Sequence, residues 1–434
     1  MKYAKTISDI PYAFNHSPLK ENEIARFYYD GTMEKRFGKK GLSDIEDIYE
    51  YCRKSFDQNL FLLMGHKGCG KSTELSRIAA KLKERGHYVF YIQCQRDLDM
   101  QNIVYTDLLI LIGEALLKIA ADICCRVPND LTEQIQGFWR GDTEKVCTSS
   151  DIRTCEFEGD MLKVDPKCKP VLKIPVTSKT DLKTFKENRM VYRKRVSKKS
   201  GEWLLIMKKT ASILSKKLAG KRPIIIFDDL DKLGRQQAWN IFSDHAAVLA
   251  AVPFSVIFTF PVALSYDIRF AELEGYYEIK TLPIIKIETM DGKPCDDGIQ
   301  TMLGIIKKRA DTQIFQDGVL DLLIKKTGGS LRDLFRVINI ASKTAIRQKD
   351  KTISIDNARI ALSELKYILA CRIESKNYKL LVDIYNGNRQ KIDSKEMLLE
   401  MMSGNIVLEY NGKRWHNVHP LIGEFLIEQG LVGK

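Results

Sequence analysis

One stretch, "LLMGHKGCGKSTELSRIAAKL" (62–82), carries glycine, lysine and hydroxyl residues at the spacing Gly65-x4-Gly70-Lys71-Ser72. The chemistry this order allows is the wrapping of a phosphate chain. Consecutive backbone N–H groups close on phosphate oxygens only where no Cβ intervenes, and Gly65, Gly68 and Gly70 remove it. Lys71 adds a point charge, and the Ser72 hydroxyl is a hard oxygen ligand suited to Mg²⁺. With His66, Lys67, Cys69 and Thr73, the loop from Gly65 to Thr73 is the expected contact for the phosphates of a nucleotide. Such a site also needs carboxylates, and "RPIIIFDDLDKL" supplies them. Asp228 is expected with Ser72 in the magnesium shell, and Asp229 is placed to polarise an attacking water. Thr259, near the end of "FSVIFTFP", is in a position to touch the terminal phosphate or its water, although threonine is equally a good strand former. Arg332, in "KKTGGSLRDLFRVINIASKTA", falls in the first turn of a helix, where a cation is unfavourable to the helix dipole unless something negative faces it. Either a bound phosphate faces Arg332 or solvent does.

These side chains need rigid elements to hold them. The apolar run Leu60 to Met64 reads as a strand entering the loop, and the segment after Lys71 has helical periodicity, the context the motif requires. Ile224 to Phe227 is β-branched and apolar between Pro223 and the acids, a buried-strand pattern. "HYVFYIQCQRDLDM" reads as a strand and loop, followed by an apolar helix over Val104 to Ile123 and a further helix over Trp203 to Leu218. Ser330 is an N-cap for a helix whose apolar stripe runs through Leu331, Leu334, Phe335, Ile338 and Ile340 or Ala341. The class is α/β.

At 434 residues and 44% hydrophobic content the chain can bury one large or two to three ordinary domains. No apolar run approaches the roughly 18 residues of a membrane span, and the start "MKYAKTISDIPYAF" lacks a charged-then-apolar leader, so a cytoplasmic protein without membrane contact is expected. The ten cysteines are scattered, one of them inside the loop and Cys124-Cys125 adjacent, which favours reduced thiols. Cys147, Cys155 and Cys168 cluster without a C-x2-C pair, a weak zinc pattern set against a bland one. The net charge of +13 has a location. Residues 171–222 hold sixteen Lys or Arg against Asp181, Glu187 and Glu202, which equals the whole excess. The Lys183–Arg222 part, with Tyr192 and Trp203 among the charges, suits a nucleic-acid backbone with aromatics for stacking. A solvated helix face or a mobile insertion is the alternative.

The loop, the "IIIFDDLDKL" strand, the Thr259 strand end and the "GGSLRDL" helix together resemble the ATPase core of the AAA+ and STAND superfamilies. The segment "LGIIKKRADTQIF" (303–315) is similar to the start of the lid in origin-recognition-like initiator ATPases. The resemblance covers roughly residues 25–365. It implies a P-loop NTPase with a three-layer parallel-sheet core, then a helical lid and a winged-helix domain. The implied divisions are a core over 1–285 with a basic insertion at about 126–202, a lid over 286–365, and a winged-helix-like domain over 366–434. It further implies an Mg²⁺-dependent ATPase in which Lys71 and Ser72 meet phosphate and metal, Asp228 the metal, Asp229 the water, Thr259 acts as first sensor and Arg332 as second. Asp229 stands where AAA+ machines usually have the longer glutamate, so slow hydrolysis is expected, as in STAND switches. Arg235 and Arg269 are arginine-finger candidates on chain position alone.

In the C-terminal part, helices over Tyr378–Tyr385 and Ser394–Met402 precede "NIVLEYNGKRWHNVHPLIGEFL", two strand-like runs around Asn411-Gly412, a strong hairpin signal. Lys413 and Arg414 at the tip suit a DNA backbone. The would-be recognition helix, "SKEMLLEMMS", carries Glu396 and Glu400 and one lysine, so packing on the core or on a protein effector is favoured. His416 and His419, beside Trp415 and Pro420, fit packing and hydrogen bonding better than metal ligation.

Three functions stand open. The first is an oligomerising ATP-dependent switch that senses nucleic acid; bacterial antiphage defence is the setting the resemblance implies. The second is a replication- or transposition-type loader on duplex DNA. The third is a regulatory adaptor with structural ATP and a protein partner.

Overall fold

The computed structural model describes residues 1–31, 44–54, 59–123, 125, 127–128, 130–131, 133–135, 190, 192–388, 394–410 and 415–433. The cysteine cluster at 147–168, the hairpin tip with Lys413 and Arg414, and Lys183, Lys186 and Arg189 of the basic stretch lie outside them.

Five short strands form one parallel sheet. They are β1 (Leu60–Gly65), β2 (Val89–Gln93), β3 (Ile224–Asp228), β4 (Ser255–Pro261) and β5 (Glu278–Thr281), in the order β2-β3-β4-β1-β5. β1 and β3 are buried along their whole length, as parallel strands covered on both faces must be. Side-chain alternation divides β1 between two cores. Phe61 and Leu63 join Leu75, Ile78 and Leu82 of the Lys71–Glu84 helix. Leu60, Leu62 and Met64 join the helices Tyr105–Asp122 and Ser200–Lys217 on the opposite face. The result is the three-layer P-loop NTPase core expected from the sequence.

The order places β4 between the loop strand and the Asp228 strand, with Leu63 opposite Thr259. After β1 the chain crosses to the far edge while β5 lies on the other side. The loop therefore sits at the switch point of the sheet, where ligands bind in open α/β folds.

A second apolar cluster joins the helices Asp296–Lys307, Val319–Lys326, Leu331–Gln348 and Ile355–Ala370 to Ile10, Ala13 and Phe14 from the start of the chain. Leu381, Leu398, Val407 and Ile422 from the C-terminal part belong to the same cluster. The latter part consists of the helices Tyr378–Tyr385 and Lys395–Ser403, the antiparallel pair β6 (Val407–Glu409) and β7 (His416–Val418), and the helix Pro420–Glu428. Ser330 caps the Leu331 helix by accepting from the Asp333 N–H at 3.3 Å, as the sequence predicts. Among the described residues, no helix is long and apolar enough to cross a membrane.

Candidate functional site

The phosphate loop leaves the C-terminal end of β1 and runs directly into the Lys71–Glu84 helix, whose N-terminus borders a cavity of about 460 Å³. That size suits a small ligand. Gly68 and Gly70 have φ values of 91° and 107°, which side-chain-bearing residues rarely adopt. At Gly68 there is a second reason. A Cβ built there would lie 2.4 Å from the Cβ of Arg332, so glycine lets the first turn of the Leu331–Gln348 helix touch the loop. This contact brings Arg332 onto the cavity wall with Lys71, Ser72, Asp228 and Asp229.

Lys71 is held from three sides. Its ammonium donates to the carbonyls of Gly65 at 2.7 Å and His66 at 3.0 Å, and it pairs with Asp231 at 2.9 Å. Burial is the largest influence and lowers its pKa, but Asp231, by charge and hydrogen bond, together with Cys69 and Asp228 outweighs it, and the net shift is upward. Asp228, at the end of β3, accepts from the Tyr91 hydroxyl at 2.8 Å and from the Asp229 N–H at 2.8 Å. Burial pushes its pKa up; the Ser72 hydroxyl, hydrogen-bonded to it, opposes the shift, while the charges of Asp229 and Asp231 reinforce it. Ser72 and Asp228 thus present adjacent hard oxygens beside the loop, a donor pair that fits Mg²⁺. Asp229 itself adopts φ of 73° and is paired with Lys232 at 2.6 Å.

Thr259 does not border the cavity. It is fully buried, and its hydroxyl oxygen accepts from the N–H groups of Leu230 at 2.9 Å and Asp231 at 3.3 Å. Its contact with the site therefore runs through the backbone that carries Asp231. Arg235 is bound to Asp267 at 2.7 Å and Glu396 at 3.4 Å, and Arg269 to Asp244 at 2.7 Å; neither lines the cavity.

Sequence reasoning missed a further part of the cavity wall. It is built by Asn15 to Leu19, Tyr28, Ile305, Arg309 and Phe335, residues from three remote segments. The start of the chain is fastened to the loop helix there. Leu19 N–H donates to the Thr73 hydroxyl at 3.3 Å, and the Tyr28 hydroxyl lies 2.9 and 3.1 Å from the two carboxylate oxygens of Glu74. Glu74 is the signal in retrospect: an acid on the buried face of the helix requires partners, and it finds Arg77 at 2.8 Å as well.

The C-terminal hairpin also reaches the loop. Burial first, and then the Lys71 charge, push the His66 pKa down to about 4, so its ring is neutral near pH 7. Its Nε2 accepts from the Glu409 N–H of β6 at 2.8 Å. Nδ1 then carries the proton and faces the Asn405 side-chain oxygen at 3.4 Å, while the Asn405 amide donates to the Lys67 carbonyl at 2.9 Å. Tyr410, next along, bridges to Ile284 beside β5 and donates to the Gly328 carbonyl at 3.1 Å.

The basic stretch divides. Trp203, expected to be available for stacking, is instead buried against Gly113 and donates to the Leu109 carbonyl at 3.1 Å. At a core-facing helix position the large apolar indole is buried rather than left open to a ligand. Arg193 is bound to Asp107 at 2.7 Å. Lys194, Lys198, Lys199, Lys208, Lys209, Lys216 and Lys217 are exposed. His416 and His419 are buried, and His419 Nδ1 accepts from the Leu421 N–H at 3.2 Å, in keeping with packing roles.

No family model matches this sequence, and no curated protein matches it. Among solved structures it is similar to Cdc6p from Pyrobaculum aerophilum, with 12% identity and a TM-score of 0.40 over 94% of this chain and 99% of that one. The Aeropyrum pernix ORC2 protein in its ADP form gives 11% identity and 0.42 over 98% and 99%. The Thermotoga maritima RuvB Holliday junction branch migration motor gives 9% and 0.36 over 89% and 95%.

Proposed function

We propose that this chain is an ATP-dependent switch of the AAA+/STAND type, a slow ATPase that binds ATP between the sheet and the lid and changes its C-terminal contacts with nucleotide state. The observation that carries the reading is the convergence of Lys71, Ser72, Asp228, Asp229 and Arg332 on one cavity, with Gly68 against Arg332. Lys71 and the loop N–H groups take the phosphates, and Arg332 answers the terminal one from the lid. Ser72 and Asp228 are the residues that hold Mg²⁺, whose chemistry there is to neutralise charge on the phosphate oxygens. Asp229 orients water once it leaves Lys232, and its short side chain keeps turnover low. The division into core, lid and winged-helix-like domain at about residues 285 and 365 belongs to this reading.

The exposed lysines on and before the Ser200–Lys217 helix form the surface for nucleic acid, and the switch works as a homo-oligomer in the cytoplasm, with antiphage defence as its setting. A protein effector at the C-terminal part is the second reading. It is favoured over DNA reading by that helix because Glu396 is turned to Arg235 of the core at 3.4 Å.

The test is Mg²⁺·ATP binding by equilibrium titration, with turnover measured alone and with duplex DNA, single-stranded DNA and RNA at two salt concentrations. Lys71→Ala is expected to weaken binding by about 100-fold or more, since it removes a charge-assisted, desolvated contact; wild-type affinity in that variant would overturn the assignment. Stimulation by one nucleic acid, lost at high salt and lost when the exposed lysines are neutralised, supports the lysine surface. Unstimulated turnover directs attention to the protein partner.

A further inference from the structure

β2 lies against β3 with Gln93 opposite Asp228, so the chain leaves the sheet beside the acids of the site. The short helix Cys94–Asp97 follows at once, and Gln95 and Arg96 stand on the cavity wall with Asp229 and Lys232. One ammonium shows how near they are. Lys232 Nζ donates to the Gln95 side-chain oxygen at 2.5 Å and to Asp229 Oδ1 at 2.6 Å. Arg96 is thus the chain neighbour of a residue that shares a partner with Asp229. Its own commitment is weak. Nε and Nη2 donate to the Asp97 carboxylate at 2.9 and 3.4 Å, and the Arg96 side chain is 73% exposed in that pair. An ion pair so open to solvent is worth at most about 1 kcal/mol. Nη1 has no hydrogen-bond partner among the described residues.

Accepting the nucleotide reading above, we propose that Arg96 is a catalytic arginine that acts within its own chain, on the terminal phosphate of the ATP held by the same loop. Among the other arginines on the wall, Arg332 arrives from the Leu331–Gln348 helix against Gly68, and Arg309 is 5% exposed with Nη1 donating to the Ala13 carbonyl at 3.0 Å. Arg235 and Arg269, which chain position alone suggested, are held by acids and do not line the cavity. Arg96 combines a place beside Asp229 with freedom to move. In the step it serves, the water oxygen bonds to the γ-phosphorus while the bond from that phosphorus to the β–γ bridging oxygen breaks. The electron pair of the broken bond stays on ADP, a water proton passes to Asp229 and on to solvent, and inorganic phosphate is the second product. Negative charge grows on the bridging oxygen as it leaves. A planar cation that swings from Asp97 to the phosphate answers this charge as it develops, so it raises the rate of the step more than the affinity for ATP.

The test is single-turnover hydrolysis of bound ATP on the full chain, beside ATP affinity by equilibrium titration. Arg96→Ala is expected to slow hydrolysis by about 100-fold or more while ATP affinity stays near the wild-type value. Arg96→Lys is expected to recover little of the rate, because an ammonium lacks the planar fork of a guanidinium. Millimolar guanidinium ion is expected to restore part of the rate to Arg96→Ala, which a merely bracing role would not allow. An equimolar mixture of Arg96→Ala and Lys71→Ala chains is expected to stay inactive, since neither chain holds both the loop lysine and the arginine. Recovered turnover in that mixture overturns the proposal by making the arginine act between copies. A wild-type rate in Arg96→Ala overturns it as well, and so does a parallel loss of affinity and rate that guanidinium ion leaves untouched. In each of these cases the nucleotide reading stands. If the wild-type chain binds no ATP, or binds it without hydrolysing it, the ATPase reading itself falls and the proposal falls with it.

Discussion

Two parts of the cavity wall are built in opposite ways. At the phosphate loop, nine consecutive residues supply the backbone, and the acids come from the end of β3 and the turn after it. In the other part, the start of the chain, the Asp296–Lys307 region and the Leu331–Gln348 helix each contribute a few side chains. Phosphate is recognised by N–H groups and charge, which a short stretch of backbone can aim. A ring is recognised by shape, which only packed segments can make. The first kind of site survives as a spacing in sequence, and the second exists only once the fold has formed.

Asp229→Asn breaks the phosphate part in one function alone. Turnover is expected to fall by roughly 10²–10⁴-fold while ATP stays bound, as for loss of a general base; single-turnover assays on the loaded protein measure it. If turnover is unchanged, Asp231 is the next candidate for the water.

Asp231→Asn sharpens the contrast. It leaves the Lys71 charge buried with only two carbonyl partners, and loss of one member of a buried pair costs about 3–5 kcal/mol. Denaturant unfolding without nucleotide should show a drop approaching that size, and added ATP should restore more stability in the variant than in the wild type, because phosphate then replaces the missing carboxylate. An equal ATP effect in both would mean that Asp231 and phosphate do not compete for Lys71.

The smallest effect concerns His66. Its folded pKa of about 4 lies below the ordinary 6.5, so between these values the unfolded chain takes up a proton that the folded chain excludes. Stability therefore falls as the pH drops through that window, by up to about 3 kcal/mol at its lower end. The His66→Gln variant should lose this part of the pH dependence in unfolding titrations between about pH 6.5 and 4. An unaltered slope would show that His66 is protonated in the folded protein.

Much of the α/β core was legible. Apolar runs ending in Gly65 and in Asp228-Asp229 became β1 and β3, and Ser330 became the cap that brings Arg332 to Gly68. The Thr259 strand is β4, beside β1, but alternation fixes only which face a side chain takes; it does not reveal that the Leu230 and Asp231 N–H groups would occupy its hydroxyl. Trp203 looked like a stacking residue because charges flank it in sequence, yet helical periodicity turns it inward while its lysine neighbours point out. Arg309 and Asn405 had no readable signal, since their partners lie at Phe335 and Lys67, distant in the chain, and Glu74 signalled the need for a partner without pointing to Tyr28.

The bond from the Glu409 N–H to His66 ties the phosphate loop to the C-terminal hairpin, and reciprocity governs whatever follows from that tie. A partner that pulls β6 away from the loop and a nucleotide that settles into the loop must change each other's affinity by the same factor. On the proposed reading, nucleotide occupancy would then answer to a molecule that never touches a phosphate.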